Sequence, residues 1–121
     1  MKISIIIPCY NEVKTLNLII EKIINKKNLD KEIIIVDDFS DDGSRDIIKN
    51  ELSEKVTKIL YNDKNYGKGY SVRKGISVST GDIVLIQDAD LEYSPDDYEK
   101  LLKPILDGHA DVVYGSRFKS S

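Results

Sequence analysis

The 121-residue chain has one cysteine, Cys9, which excludes an internal disulfide and suits a reducing compartment. It has no long apolar run, since those at residues 3–7 and 33–36 fall far short of the roughly 20 residues that cross a bilayer. It has no basic excess either: 18 Lys and Arg against 21 Asp and Glu give a formal net charge of -3, which argues against nucleic acid as a partner. A signal-peptide pattern is missing, because Met1-Lys2-Ile3-Ser4 enters a strand-like run without an apolar core and small-residue cleavage site. We therefore expect a cytoplasmic chain with no transmembrane segment. What is present, 40% apolar and 32% charged residues, is the make-up of one globular domain over residues 1–121.

The stretch Ile83-Val84-Leu85-Ile86-Gln87-Asp88-Ala89-Asp90 organises the rest, as a short apolar run that delivers two carboxylates at its carboxyl end, with Glu92 close behind. Hard oxygens on an irregular turn suit a divalent ion that keeps open positions for phosphate. They equally suit a turn whose acids bond their own backbone.

Around that stretch, strand and helix patterns alternate. Ile3-Ser4-Ile5-Ile6-Ile7 reads as a first strand stopped by Pro8, which has no donor for a sheet ladder. Leu16, Ile19, Ile20 and Ile23 recur at the spacing of one apolar helix face. Residues 32–36 read as a second strand ending at Asp37-Asp38, followed by a shorter helix with Ile47, Ile48 and Leu52 inward, and residues 56–60 as a third strand. A helix of small residues, Ser71, Gly75 and Ser79, is expected to pack close to the sheet before Gly81 breaks it. After the organising strand, Ser94 reads as an N-cap, Pro95 as the first helical residue and Asp97 as a capping-box partner. Leu101, Leu102, Ile105 and Leu106 are expected inward, Pro104 is expected to kink this helix and Gly108 to end it. Residues 111–114 read as a fifth strand running into Gly115-Ser116-Arg117-Phe118.

This alternation predicts an α/β fold of three layers, a Rossmann-like, mainly parallel sheet with helices on both faces. In such sheets ligands bind beyond the carboxyl ends of the strands, where strand order reverses. Three polar clusters fall at those ends: Pro8-Cys9-Tyr10-Asn11-Glu12, Asp37-Asp38 and Asp88-Ala89-Asp90. Each suits part of a nucleotide-like ligand. Asp37 or Asp38 would accept bonds from a base or ribose, Tyr10 offers an aromatic face, and Mg2+ or Mn2+ on Asp88 and Asp90 would remove the repulsion between carboxylates and a diphosphate.

Taken with Val36-Asp37-Asp38-Phe39-Ser40-Asp41-Asp42-Gly43-Ser44, Gly67-Lys68-Gly69, Thr80-Gly81-Asp82, Gln87-Asp88-Ala89-Asp90-Leu91-Glu92 and Gly115-Ser116-Arg117-Phe118, these clusters stand in an order and spacing that resembles family 2 glycosyltransferases of the GT-A fold. The resemblance covers nearly the whole chain and points to the dolichyl-phosphate mannose synthase-like branch, which glycosylates polyprenyl phosphates. It implies an inverting, metal-dependent transfer of a hexose from a nucleotide sugar of the GDP-mannose or UDP-glucose type to a polyprenyl phosphate, at the cytoplasmic face of a membrane. It implies that Pro8, Tyr10, Glu12, Val36 and Asp38 line the nucleoside pocket, and that Asp88, Ala89 and Asp90 meet the donor diphosphate. Asp88, Asp90 and Glu92 would be the metal ligands, Glu92 standing where some relatives have glutamine. Asp90 and Arg117 are the residues on which catalysis is expected to depend.

Relatives of this kind continue well past the Gly-Ser-Arg motif into a segment that builds the acceptor site. The acceptor half is thus expected to be missing here or to come from another chain, and no general base is assigned. Lys68 would reach a phosphate, although Gly67-Lys68-Gly69 lacks P-loop spacing and also reads as a turn with a solvent lysine. Arg117 suits bidentate phosphate binding, or an ion pair with one of the many acids. Cys9, with no histidine nearby, and His109, a solvated cap residue, enter no mechanism. Two other accounts remain: a nucleotide-sugar-binding module without transfer, and a receiver-like Mg2+-binding signalling domain. The latter would want its acidic pair after the first strand, where Pro8 to Glu12 stand.

Overall fold

The structure, a computed structural model, describes residues 1–27, 29–90, 94–106 and 112–114. Five parallel strands, β1 (Ile3–Cys9), β2 (Lys31–Asp37), β3 (Lys58–Tyr61), β4 (Ile83–Ile86) and β5 (Val112–Tyr114), form one sheet in the order β3-β2-β1-β4-β5. The chain winds outward from β1 to β3, then crosses back and continues on the other side of β1. Strand order therefore reverses between β1 and β4.

Two apolar layers sandwich the sheet. On one face Ile3, Ile5, Ile7, Ile33, Ile35 and Leu85 meet Leu16, Ile19, Ile20 and Ile23 of helix α1 (Leu16–Ile24), the four residues that the helical spacing singled out, all fully buried. Ile48 and Leu52 join the same face from the wider, π-type turn Ile48–Leu52 that continues the short helix α2 (Ser44–Ile47). Tyr98 and Leu102 of helix α4 (Tyr98–Leu106) complete it. The opposite face carries Ile6, Ile34, Val36 and Ile86 under Val72 of helix α3 (Lys68–Ser77). Helix α3 sits close because Gly75 has no side chain: a Cβ there would lie 2.6 Å from Ile6 Cγ2.

Several boundaries differ from the sequence reading. The third strand starts at Lys58, because Val56 leaves the π-type turn (its N–H bonds Leu52 O) and packs against the core as loop. Ser94 does cap, its Oγ accepting from Asp96 N at 3.1 Å, yet the first turn after it, Pro95–Asp97, is a 3-10 turn before α4 begins. Helix α4 runs through Pro104 to Leu106. Gly108 and Asp111 lie outside the described residues.

At the amino edge of the sheet Glu32 is buried and locks three segments. Its Oε2 accepts from Ser4 Oγ and Thr80 N, and its Oε1 faces Lys58 Nζ at 3.4 Å. Burial pushes its carboxyl up, but the bonds from Ser4 and Thr80 and the charge of Lys58 outweigh that and hold it at about 2, below the ordinary 4.5. A carboxyl depressed in the fold contributes stability above its unfolded pKa and loses it as pH falls through the folded value. On the order of 3 kcal/mol should therefore disappear between about pH 5 and pH 2. Urea unfolding across that range checks this, and Glu32→Gln, lacking the charge, should flatten the loss.

Candidate active site

Pro8 does not end β1, contrary to the sequence reading. It pairs with Val36, and Cys9 with Asp37, so the strand continues along β2. Backbone groups point alternately to the two neighbours along a strand. Cys9 O accepts from Asp38 N on the β2 side, whereas Ile6 O accepts from Gln87 N on the β4 side. The nitrogen of Pro8 thus faces β4, where a proline has no donor to give. Pairing between β1 and β4 stops at Ile6–Ile86, at the strand-order reversal, the point where sheets of this kind open a crevice.

The β1–α1 and β2–α2 loops form one wall of that crevice and are stitched together. Asn11 N donates to Ser40 Oγ, Glu12 N to Ser44 Oγ and Val13 N to Asp42 Oδ2, at 3.0, 3.0 and 3.1 Å, while Asp41 N returns a bond to Asn11 Oδ1. Two non-glycine residues hold positive φ here, Asn11 at 53° and Phe39 at 62°. For a bulky residue such as Phe39 this is strain, of order 1 to 3 kcal/mol. The Arg45 guanidinium helps hold it, lying between the rings of Phe39 and Tyr61 at 5.5 and 5.1 Å with its Nε on Asp37 Oδ2 at 2.7 Å.

Asp38 is committed to the adjoining loop. Its Oδ1 accepts from Asn62 Nδ2 and Tyr66 N, and its Oδ2 from Gly67 N, all within 2.9 Å. A carboxylate offers about four acceptor positions, which leaves one for a ligand. Asn62, buried at the end of β3, uses every polar atom it has. Beyond Asp38 it bonds Ser71 Oγ, Lys74 Nζ, Arg45 Nη2 and Asp37 O. Gly67, at φ 98°, provides the turn from which α3 starts.

The opposite wall is the turn after β4, anchored at three points. Thr15 Oγ1, at the start of α1, donates to Ala89 O. Gln87 Nε2 donates to Asp88 O at 3.0 Å and is itself set by Tyr98 OH on its Oε1 at 2.9 Å. Lys68 Nζ pairs with Asp88 Oδ1. Burial raises the Glu12 carboxyl above its ordinary value, and the charges of Asp90, Asp42 and Asp88 raise it further, so these acids share one negative field. Among the described residues no three acidic, histidine or cysteine side chains are arranged to hold a metal ion. A small divalent ion asks less, since one or two carboxylates suffice where substrate phosphates fill the remaining positions. In this structure the cation that Asp88 meets is the Lys68 ammonium.

The structure thus brings Tyr10, Glu12, Asp38, Lys68, Asp88 and Asp90 to one edge. Tyr10 is exposed beside the partly buried Glu12. Val36 is different: its side chain is fully enclosed among Ile6, Ile34 and Val72, because β2 is an inner strand roofed by α3. Ala89 also points into the core, leaving its carbonyl to Thr15. Cys9 is inert, its thiol pushed up to about 12 by burial and by neighbouring Asp37. Glu92, His109 and Arg117 lie outside the described residues. The sequence reading passed over Thr15, Asn62 and Tyr98. Asn62 had a signal, because it follows a strand's carboxyl end as the other polar clusters do.

The comparisons agree with this geometry. The family model described as Glycosyl transferase family 2 matches residues 4–121. A dolichol-phosphate mannosyltransferase of Pyrococcus furiosus is 34% identical over 119 residues, which cover 98% of this chain and 34% of the relative. An undecaprenyl-phosphate 4-deoxy-4-formamido-L-arabinose transferase of Yersinia enterocolitica is 35% identical over 118 residues, 93% of this chain and 36% of the relative. Among solved structures, the mannosyltransferase PcManGT of Pyrobaculum calidifontis in complex with GDP-Man and Mn2+ superposes with a TM-score of 0.66 at 25% identity, covering 73% of this chain and 27% of that one. The chain spans about a third of the length of the curated relatives it matches. A forked Rossmann-like sheet with acids at its reversal point, matched by the family model over almost its full length, establishes that this chain belongs to glycosyl transferase family 2 and has the GT-A fold.

Proposed function

We propose that the chain is the donor-binding half of an inverting transferase that moves a hexose from a nucleoside diphosphate sugar to a polyprenyl phosphate. The observation that carries this is the Asp88–Ala89–Asp90 turn, held at the strand-order reversal by Thr15, Gln87 and Lys68. Its relatives include proteins named for transfer to dolichol phosphate and undecaprenyl phosphate, and one solved with GDP-Man and Mn2+. Asp88 and Asp90 would hold Mg2+ or Mn2+, with Glu92 as a further ligand by the family resemblance. When bound, such an ion neutralises charge on the departing diphosphate.

The chain's own residues do the rest. Asp38 offers its remaining acceptor position to the nucleoside, with Tyr10 as an aromatic face and Pro8 and Glu12 lining the same side. Thr15, Gln87 and Tyr98 keep the acidic turn from drifting, so that donor and acceptor meet in line. Inversion means one displacement at the anomeric carbon. A phosphate acceptor is already anionic near neutral pH and attacks with little help from a base, and Arg117 is the group we assign to steering it. No helix among the described residues is long and apolar enough to cross a membrane, and we place the chain at the cytoplasmic membrane face, where such a lipid is met.

Calorimetric titration of UDP and GDP, first with Mn2+ and then with EDTA, tests the donor site. Binding should weaken at least tenfold on chelation. Equal affinity with and without the ion would overturn the assignment. Transfer of radiolabelled sugar from GDP-mannose or UDP-glucose to a short polyprenyl phosphate then separates a transferase from a module that only binds.

A further inference from the structure

We propose that Lys68 is an exchangeable counter-ion, which occupies Asp88 while the donor site is empty and passes to the diphosphate when a divalent cation takes its place. This rests on the donor-site reading above and assigns Lys68 a role that changes along the binding path. The pair is lopsided: the Lys68 side chain is 50% exposed and that of Asp88 only 12%. The carboxylate is fixed, since its backbone is held through Gln87 and the next carbonyl through Thr15, whereas the ammonium rides on a flexible four-carbon stem that leaves at little cost.

Position makes departure favourable once an anion arrives. Lys68 is the first residue of the ten-residue helix α3, whose amino end favours negative charge, so a cation there is tolerated because Asp88 answers it. The Gly67 amide is spent on Asp38, which fixes the first turn of α3 relative to the nucleoside side of the crevice. A diphosphate arriving between that turn and Asp88 meets the Lys68 ammonium within its reach. Glu12 feels the charges of Asp90, Asp42 and Asp88, so this edge gathers several acids against the one ammonium of Lys68. A divalent ion relieves that field better and competes with Lys68 for the same Asp88 oxygen.

Exchange predicts effects of opposite sign in one variant. Lys68→Met should bind Mn2+ alone about threefold to tenfold more tightly than the parent, because its competitor is gone. The same variant should bind UDP or GDP in saturating Mn2+ about tenfold more weakly, because the diphosphate loses its ammonium. Lys68→Arg should preserve the competition for Asp88 and restore most of the nucleotide affinity. Calorimetry with Mn2+ alone and then with nucleotide reads both. Unchanged or weaker Mn2+ binding by Lys68→Met, with nucleotide still bound by the parent, overturns the exchange and leaves the donor site standing. A parent protein that binds Mn2+ but no nucleotide overturns both.

Discussion

Asp90→Ala should lower the Mn2+-dependent affinity for a nucleoside diphosphate by about 100-fold or more, because losing a direct ligand costs at least as much as losing a group that only orients one, while leaving the metal-free affinity near the parental value. The two parts should separate because, on the proposed reading, nucleoside and diphosphate are met by different loops. Asp38 and its partners Asn62, Tyr66 and Gly67 belong to the β2 and β3 ends, and the Asp88–Ala89–Asp90 turn to the β4 end. Asp90 contributes a hard oxygen that alanine lacks, and Lys68 would then keep Asp88 to itself. A second readout needs no ligand. Asp90 is the leading charge holding the Glu12 carboxyl up, after burial, so Glu12 should titrate lower in the variant, measurable by NMR. An unmoved Glu12 would mean that the two acids do not share a field. Unchanged metal-dependent affinity would remove Asp90 from the donor site.

Asn62→Leu should cost about 3 kcal/mol of stability and weaken nucleotide binding even without metal. Leucine keeps the volume and removes the side-chain bonds to Asp38, Ser71 and Lys74, made at 2.9, 3.1 and 3.0 Å. The buried bond to the Asp38 carboxylate contributes roughly 1.5 to 3 kcal/mol, the neutral bond to Ser71 about 1, and the bond to the Lys74 ammonium less than a buried one because it is only partly buried. Asp38 would then stay buried on two amide donors, with its orientation toward the nucleoside loosened. Urea unfolding reads the first effect and calorimetry in EDTA the second. Parental stability would show that Tyr66 N and Gly67 N hold Asp38 unaided. Lost stability with undiminished nucleotide affinity would instead separate Asn62 from the site.

The elements legible in the sequence were those with a period. Leu16, Ile19, Ile20 and Ile23 write a helix face into their spacing, and the β-branched runs of β1 and β2 admit little else. The edge strand β3 was misplaced by two residues at its start because Val56, apolar enough for a strand, is buried by a loop instead. The acidic turn was legible as composition at a strand end, but its fastening was not. Thr15 reaches Ala89 across 74 positions and Tyr98 reaches Gln87 across 11, and neither spacing has a signature that local pattern reveals. Val36 differs in the other direction. The motif it belongs to lies at the site, yet alternation along β2 turns its side chain down under α3. Phe39 is a further case, since nothing in its neighbours announces a positive φ.

The proline in the middle strand has a kinetic meaning as well. A cleft between two parallel strands would ordinarily be exposed to thermal zippering, each transient closure forming one more rung of the ladder and shutting out whatever was to bind. At Pro8 the next rung on the β4 side has no hydrogen to form it, however the backbone fluctuates. The end of the β1–β4 ladder beyond Ile6 and Ile86 is thus set by covalent structure. It would persist whether or not nucleotide, metal or the rest of a longer chain is present.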